Sequence, residues 1–282
     1  MKQTISLGKF DAELSTDPCD ARTNADLTIK LKLGFRQINP AGGAATGTYH
    51  DYGDPAQPNR QIIAWTATAW TAWKNNFVAS AERYWNGKFW LVNHRGILPQ
   101  DVAGTIYIPN VYCKFDIIGR DASIGVHHHV IDVVRLAASE TFFGSHSRLY
   151  DSLDTNSIQK GTDSHGNAIM QRAHVHEVGH LLGLAHVDVG QAHCPATGDT
   201  NAQLCYGVSD RSLYDVMGRG MTLHTRHAHP WLQAMDRFRR IIPASPLYTP
   251  PPAKVSRFRA AMRRHYPRTV AEFEAGAEVT RR

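Results

Sequence analysis

The sequence predicts an α+β domain followed by a proline-broken basic tail. Three observations carry that expectation. Leu27, Ile29, Leu31, Leu33 and Phe35 alternate with polar or small residues, the period of a half-buried strand. Trp70, Trp73, Phe77, Ala81 and Tyr84 recur at helical spacing and share one face. Pro243, Pro246 and Pro250–Pro252 then interrupt the chain ahead of an arginine-rich stretch. With 282 residues, 42% hydrophobic and 20% charged, the chain can bury a core and falls outside collagen, wholesale disorder and disulfide-dense miniproteins.

In chain order, residues 1–26 read as an N-terminal extension, and residues 39–60, rich in Gly, Pro, Asn and Asp, as loop. A helix carrying the aromatic stripe is expected between Gln61 and Trp85. Short apolar runs at 88–93, 104–108, 111–118 and 130–136 read as strands. Residues 144–167 are polar and contain Gly144, Gly161 and Gly166, so they read as loop. A helix fits from Met170 to Leu182, followed by an irregular, Gly-rich stretch to about residue 228. Trp231, Ala234, Met235, Phe238 and Ile242 mark another amphipathic helix, and Val255, Phe258 and Met262 a last basic one at 254–265.

The net charge of +6 is unevenly placed. From residue 251 onward eight Lys and Arg stand against three Glu, and the preceding residues are near neutral. A basic tail of this kind is a solvated helix face or a contact for an anionic surface or delivery partner. Aromatic and basic residues do not interleave there in the manner that stacks successive bases, so no specific nucleic-acid binding is expected. No apolar run reaches the roughly 18–20 residues of a membrane span. The first twenty residues hold no apolar core of a secretory leader, so any export is expected to use a non-classical or injection route, and the location stays open. Cys194 and Cys205 flank Pro195 and Gly198, a spacing that suits a loop-closing disulfide, while Cys19 and Cys113 stand alone.

The chemistry concentrates at His176-Glu177-Val178-Gly179-His180-Leu181-Leu182-Gly183-Leu184-Ala185-His186. On a helix His176 and His180 lie one turn apart and can grip one ion. Gly183, free to take positive φ, can end the helix sharply so that His186 turns back to the same ion. Three imidazoles leave a fourth zinc position open for water, and Glu177 lies beside His176 where it can reach that water. The five fixed positions would recur by chance in about one of 10,000 shuffled chains of this composition.

This string resembles the zinc signature H-E-x-x-H-x-x-G-x-x-H of the metzincin metalloproteases. Tyr214-Asp215-Val216-Met217-Gly218 is similar to the clan's methionine turn. The resemblance is specific over about 170–242 and architectural before that. It implies a metzincin-like domain over 27–243, with a mostly β upper subdomain (27–183; a twisted sheet with a long helix), an active-site helix and a coil/helix lower subdomain (184–243). Residues 244–282 would form a Pro-rich linker and basic helical tail. The resemblance further implies Zn2+ on His176, His180 and His186, Glu177 as catalytic base and acid, and structural support from Gly183 and Met217. The partner would be a protein or peptide substrate.

Departures from individual families are visible. Arg219 stands two residues after Met217, where astacin- and serralysin-like members carry a tyrosine. Val187 and Asp188 follow the third histidine. Cys19, in Asp17-Pro18-Cys19-Asp20, does not match the zinc-plugging cysteine of matrixin-like zymogens.

The expected activity is endopeptidase hydrolysis, with Tyr214 or His224 as candidate oxyanion donors and residues 218–229 as pocket wall. With no recognisable prosegment, an exported effector- or toxin-like protease is the expectation. Two other readings share the site: a zinc-stabilised binding or docking protein using the basic tail, and a zinc amidase acting on a cell-wall peptide. His127 and His129 would share a strand face and make a second metal conceivable, and Asp151, Asp154 and Asp163 in a polar loop suggest calcium.

Overall fold

The computed structural model describes residues 2–15, 24–50, 56–92, 100–102, 105–107, 110–141, 148–241, 270–272 and 278–281. It is a mixed α+β structure with mostly antiparallel strands and few helices. The strands are β1 (Lys2–Ser6), β2 (Asp11–Ser15), β3 (Asn24–Ile38), β4 (Thr46–Tyr49), β5 (Arg60–Ile63), β6 (Phe89–Val92), β7 (Gln100–Val102), β8 (Thr105–Tyr107), β9 (Asn110–Asp121), β10 (His129–Val134), β11 (Leu149–Asp151), β12 (Ile158–Thr162), β13 (Ala168–Gln171), β14 (Val270–Glu272) and β15 (Glu278–Arg281). The helices are α1 (Ala67–Trp85), α2 (Ala173–Leu181), α3 (Asp210–Leu213) and α4 (His229–Ile241). No helix among the described residues is long and apolar enough to cross a membrane.

The chain forms two compact units that interleave along the sequence: 1–30, 85–116 and 224–282 in the first, 31–84 and 117–223 in the second. In the first, strands run in the order β1-β2-β3-β9-β6-β15-β14. Residues 2–6 and 11–15, which read as part of an extension in the sequence, are strands. β2 pairs antiparallel with β3 from Asp11↔Lys30 to Ser15↔Asp26, and buries Ala12 and Leu14 against that strand's apolar side. Their signal is weak because each strand has five residues and few large apolar side chains. Trp231 of α4 packs its ring against Phe89 and Phe115 and donates its indole N–H to Lys114 O at 2.8 Å. The helix expected at 254–265 lies outside the described residues, and the described part of the tail is extended, β15 pairing with β6.

The second unit carries the site. The second half of β3 pairs parallel with β10, which pairs parallel with β11. The aromatic stripe of α1 lies on this sheet, as its spacing predicts: Trp70, Trp73 and Phe77 set their rings edge-on to Phe35, at 6.4, 5.7 and 5.2 Å between centroids. Gly119 permits that closeness, since a Cβ there would collide with Phe35 and Val78. The stretch 144–167, expected as loop, contains β11 and β12. β12 and β13 form an antiparallel hairpin closed by Asp163, whose carboxylate accepts the backbone N–H groups of His165 and Asn167 at 2.9 and 2.8 Å. Gly166 takes φ 84° in that turn. The hairpin runs directly into α2.

Candidate metal centre

α2 ends in a Schellman turn that the sequence specifies. Gly183, at φ 95°, donates its N–H to His180 O at 2.8 Å, and Leu184 N–H reaches back to Gly179 O at 2.9 Å. A side chain at 183 would be strained at that φ. The reversal returns the chain so that His186 meets His176 and His180.

The three histidines converge through Nε2. His180 Nε2 lies 3.0 Å from His176 Nε2 and 3.0 Å from His186 Nε2. Each Nδ1 faces a carbonyl oxygen, which can only accept. His176 Nδ1–H donates to Val216 O at 2.7 Å, His180 Nδ1–H to Leu184 O at 2.8 Å, and His186 Nδ1–H to Thr200 O at 2.7 Å. That assigns the tautomers: each neutral ring carries its proton on Nδ1 and a lone pair on Nε2. The 3.0 Å approaches are therefore lone pair to lone pair and not hydrogen bonds. A shared cation relieves the repulsion. Imidazole nitrogens about 2.0–2.1 Å from a tetrahedral ion sit roughly 3.3 Å apart, close to the spacing here.

Burial, then the neighbouring imidazoles, push His176 well below the usual histidine range and His180 down to about 4. Burial also lowers His186. All three are thus neutral at pH 7, the form that ligates. Among the described residues this is the one cluster of three or more His, Cys, Asp or Glu groups that could hold a metal ion.

The shell around the histidines is well built. Leu184, turned by Gly183, is itself the acceptor for His180. Met217 is buried, its carbonyl accepts Val187 N–H at 3.0 Å, and its own N–H donates to Asp215 Oδ1 at 2.7 Å. The methionine segment thereby fixes both sides of the centre: Val216 O orients His176, and Met217 O holds the residue after His186. Gln171, at the end of β13, is 4% exposed. Its side-chain amide donates to Gly218 O at 3.0 Å and Gly220 O at 3.2 Å, tying that segment to the strand leading into α2.

A disulfide joins Cys194 and Cys205, Cα to Cα 5.2 Å, as the spacing suggests. The loop it closes contains Thr200, the acceptor for His186. The next residue, Tyr206, packs its ring on His186 with centroids 3.9 Å apart, and lies parallel to His176 at 5.9 Å. Burial, with the Glu177 carboxylate adding, pushes the Tyr206 hydroxyl up to about 12, so it stays a donor at neutral pH. Glu177 is half-buried and acts electrostatically on Tyr206 and on Lys160. Lys160 is the extra residue where the β12–β13 register shifts between Gln159 and Gly161. Burial lowers its pKa while Asp154, Glu177 and Asp151 act in the opposite direction.

Several other candidates named from the sequence take different roles. Tyr214 donates its hydroxyl to Asp163 Oδ2 at 3.0 Å, in the hairpin turn. His224 belongs to the other unit, where its backbone N–H donates to His227 Nδ1 at 2.9 Å. His174 is fully buried and bonds Ser80 and Asp154 O through its two ring nitrogens. His128 Nδ1 accepts Lys32 N–H at 2.9 Å, and His127 packs on Gly34. Asp151 and Asp154 are buried and serve a turn: Asp154 Oδ2 accepts Asp151 N–H, and Asp151 Oδ1 accepts Leu153 N–H. Cys19 lies outside the described residues, and Cys113 is buried and free.

Sequence reasoning missed Gln171, Tyr206 and Lys160. None belongs to a spaced motif, and only the nearness of Tyr206 to Cys205 hints at a role. No family model, curated protein or solved structure matches the chain.

Proposed function

We propose that the chain is a metzincin-like zinc endopeptidase, with its metal on His176, His180 and His186 and its general base and acid in Glu177. The observation that supports this most is the convergence of three Nε2 lone pairs, each oriented by a carbonyl acceptor, beside a half-buried glutamate. Three neutral nitrogen donors suit zinc and leave one position for solvent or substrate, the pattern of catalytic sites. When bound, the ion supplies Lewis acidity and lowers the pKa of water at the open position.

The chain's own residues do the rest. The Glu177 carboxylate takes the proton from the attacking water as the oxygen adds to the scissile carbonyl carbon, and hands it to the departing amine nitrogen. Tyr206 replaces Tyr214 and His224 as the candidate for steadying the developing oxyanion, because its protonated hydroxyl stands on the ring packed against His186. The domain limits 27–243 and the tail's docking role stay part of this proposal.

The test is a peptide-library digest by the native protein and Glu177→Ala side by side, with metal content measured on both. Native protein should cut at defined sites, and the variant should keep its metal and lose about 100-fold or more in rate. Cleavage that survives in Glu177→Ala overturns the assignment of the base. Metal in both with cleavage by neither favours a metal-stabilised binding protein.

A further inference from the structure

We propose that Arg219 is a specificity-determining residue, which takes the carboxylate of an acidic residue next to the bond cut in a peptide substrate. The inference rests on the peptidase reading above and adds the substrate class.

Arg219 stands in Gly218-Arg219-Gly220, a frame built to hold its backbone still. A Cβ at 218 would collide with the carbonyl oxygens of Ser212 and Tyr206, and one at 220 with the carbonyl of Tyr214. The Arg219 N–H donates to Leu213 O at 3.0 Å. The carbonyls on either side take the two Gln171 amide hydrogens. The side chain then crosses β12 at Gly161. A Cβ on that residue would lie 3.4 Å from Nη1 and 3.5 Å from Cδ, ordinary van der Waals contact, so the arginine runs packed along this strand.

Tyr206 links Arg219 to the centre. Arg219 acts electrostatically on the Tyr206 hydroxyl, whose ring packs on His186. Lys160, adjacent to Gly161, acts on His176. Yet the guanidinium makes no hydrogen bond or ion pair among the described residues. The carboxylates that act on the Tyr206 hydroxyl are Glu177, assigned above to the reaction, and Asp199, which accepts the Asn201 N–H at 2.9 Å. Asp151 and Asp154 hold their own turn and act on Lys160, and Asp163 takes Tyr214 and Asn167.

A half-buried, permanently charged fork with five donors and no counter-ion is matched by a carboxylate, which it can take through two parallel N–H···O bonds. An aspartate or glutamate side chain of the substrate supplies that group, and an asparagine or glutamine of the same shape does not.

The test uses the full-length, zinc-loaded chain and short peptide hydroxamates carrying aspartate or its isostere asparagine at each position flanking the metal-binding group. Affinity is read by competition on the native protein, Arg219→Gln, Arg219→Lys and Arg219→Glu, with zinc content measured on all four. At one position the aspartyl compound should bind about tenfold tighter or more to native protein. The ratio should fall to about one in Arg219→Gln, stay partial in Arg219→Lys and invert in Arg219→Glu, with zinc unchanged. Equal binding of both compounds by native protein, binding of neither, or a ratio that survives in Arg219→Gln overturns the proposal. The readout is binding, so a chain with this selectivity that cuts no peptide retracts the peptidase reading and leaves Arg219's role standing.

Discussion

Replacing Gln171 with leucine removes the buried amide that fastens the methionine segment to β13. Two hydrogen bonds are lost, to Gly218 O and Gly220 O, at a site 4% exposed to solvent. Each bond contributes about 0.5–1.5 kcal/mol net, and an acceptor left buried without a partner costs about 1–3 kcal/mol. Leucine preserves most of the volume, so the packing loss is small and a total near 2–4 kcal/mol is expected. The consequence reaches the histidines because Val216 O, in the same segment, orients His176. Removing such outer support costs roughly 10–100-fold in metal affinity. Gln171→Glu should be the harsher change, since it sets a carboxylate against carbonyl oxygens in place of an amide donor. The assay pairs urea unfolding of the metal-free protein with zinc affinity from chelator competition. A loss under about 0.5 kcal/mol with unchanged zinc affinity would refute the claim that Gln171 braces the centre.

Two further outcomes follow from the shell and the hairpin. Cys194→Ser with Cys205→Ser should cost about 2–3 kcal/mol through the loop entropy released. It should also weaken zinc binding, because Thr200 O, the acceptor for His186, lies in that loop; calorimetric unfolding plus chelator competition measures both, and unaltered zinc affinity would show that the loop holds its shape without the bridge. Asp163 is held down to about 2 by the Asn167 amide above all, then by backbone N–H groups and the Tyr214 hydroxyl. A carboxyl with a lowered folded pKa contributes stability that is full above its unfolded value near 3.8 and fades as the pH falls toward 2. An NMR titration of the Asp163 carboxyl should therefore show a midpoint near 2, and one near 3.8 would mean the turn does not hold it.

The legible part of the site is the part written in spacing. His176 and His180 share a helix face, Gly183 reverses the chain and His186 returns, all from side chains at fixed intervals. Met217 is legible by resemblance, and its contribution includes a backbone carbonyl on Val187. What cannot be read is carried by carbonyls. Val216, Leu184 and Thr200 orient the imidazoles through main-chain oxygens that any residue would supply, so their identities signal nothing. Tyr206 and Gln171 reach the site through tertiary packing alone. In the fold, α1 and β3 announce themselves through long periodic stripes of large side chains. β1, β2, β12 and β13 have four or five residues each, too few for a period to stand out; Gly161 with Gly166 makes β12 look like loop, and Met170 and Gln171 of β13 read as the start of the helix that begins at Ala173.

The central claim is that three imidazoles hold one catalytic metal through Nε2 and leave a position open. X-ray absorption at the zinc edge of the reconstituted protein tests it most directly, with His180→Ala as control. The account predicts one ion per chain, three imidazole nitrogens at about 2.0 Å and one oxygen from solvent, with a ligand lost in the variant. A closed shell of four protein ligands, a sulfur neighbour, or zinc that stays unchanged in His180→Ala would contradict it.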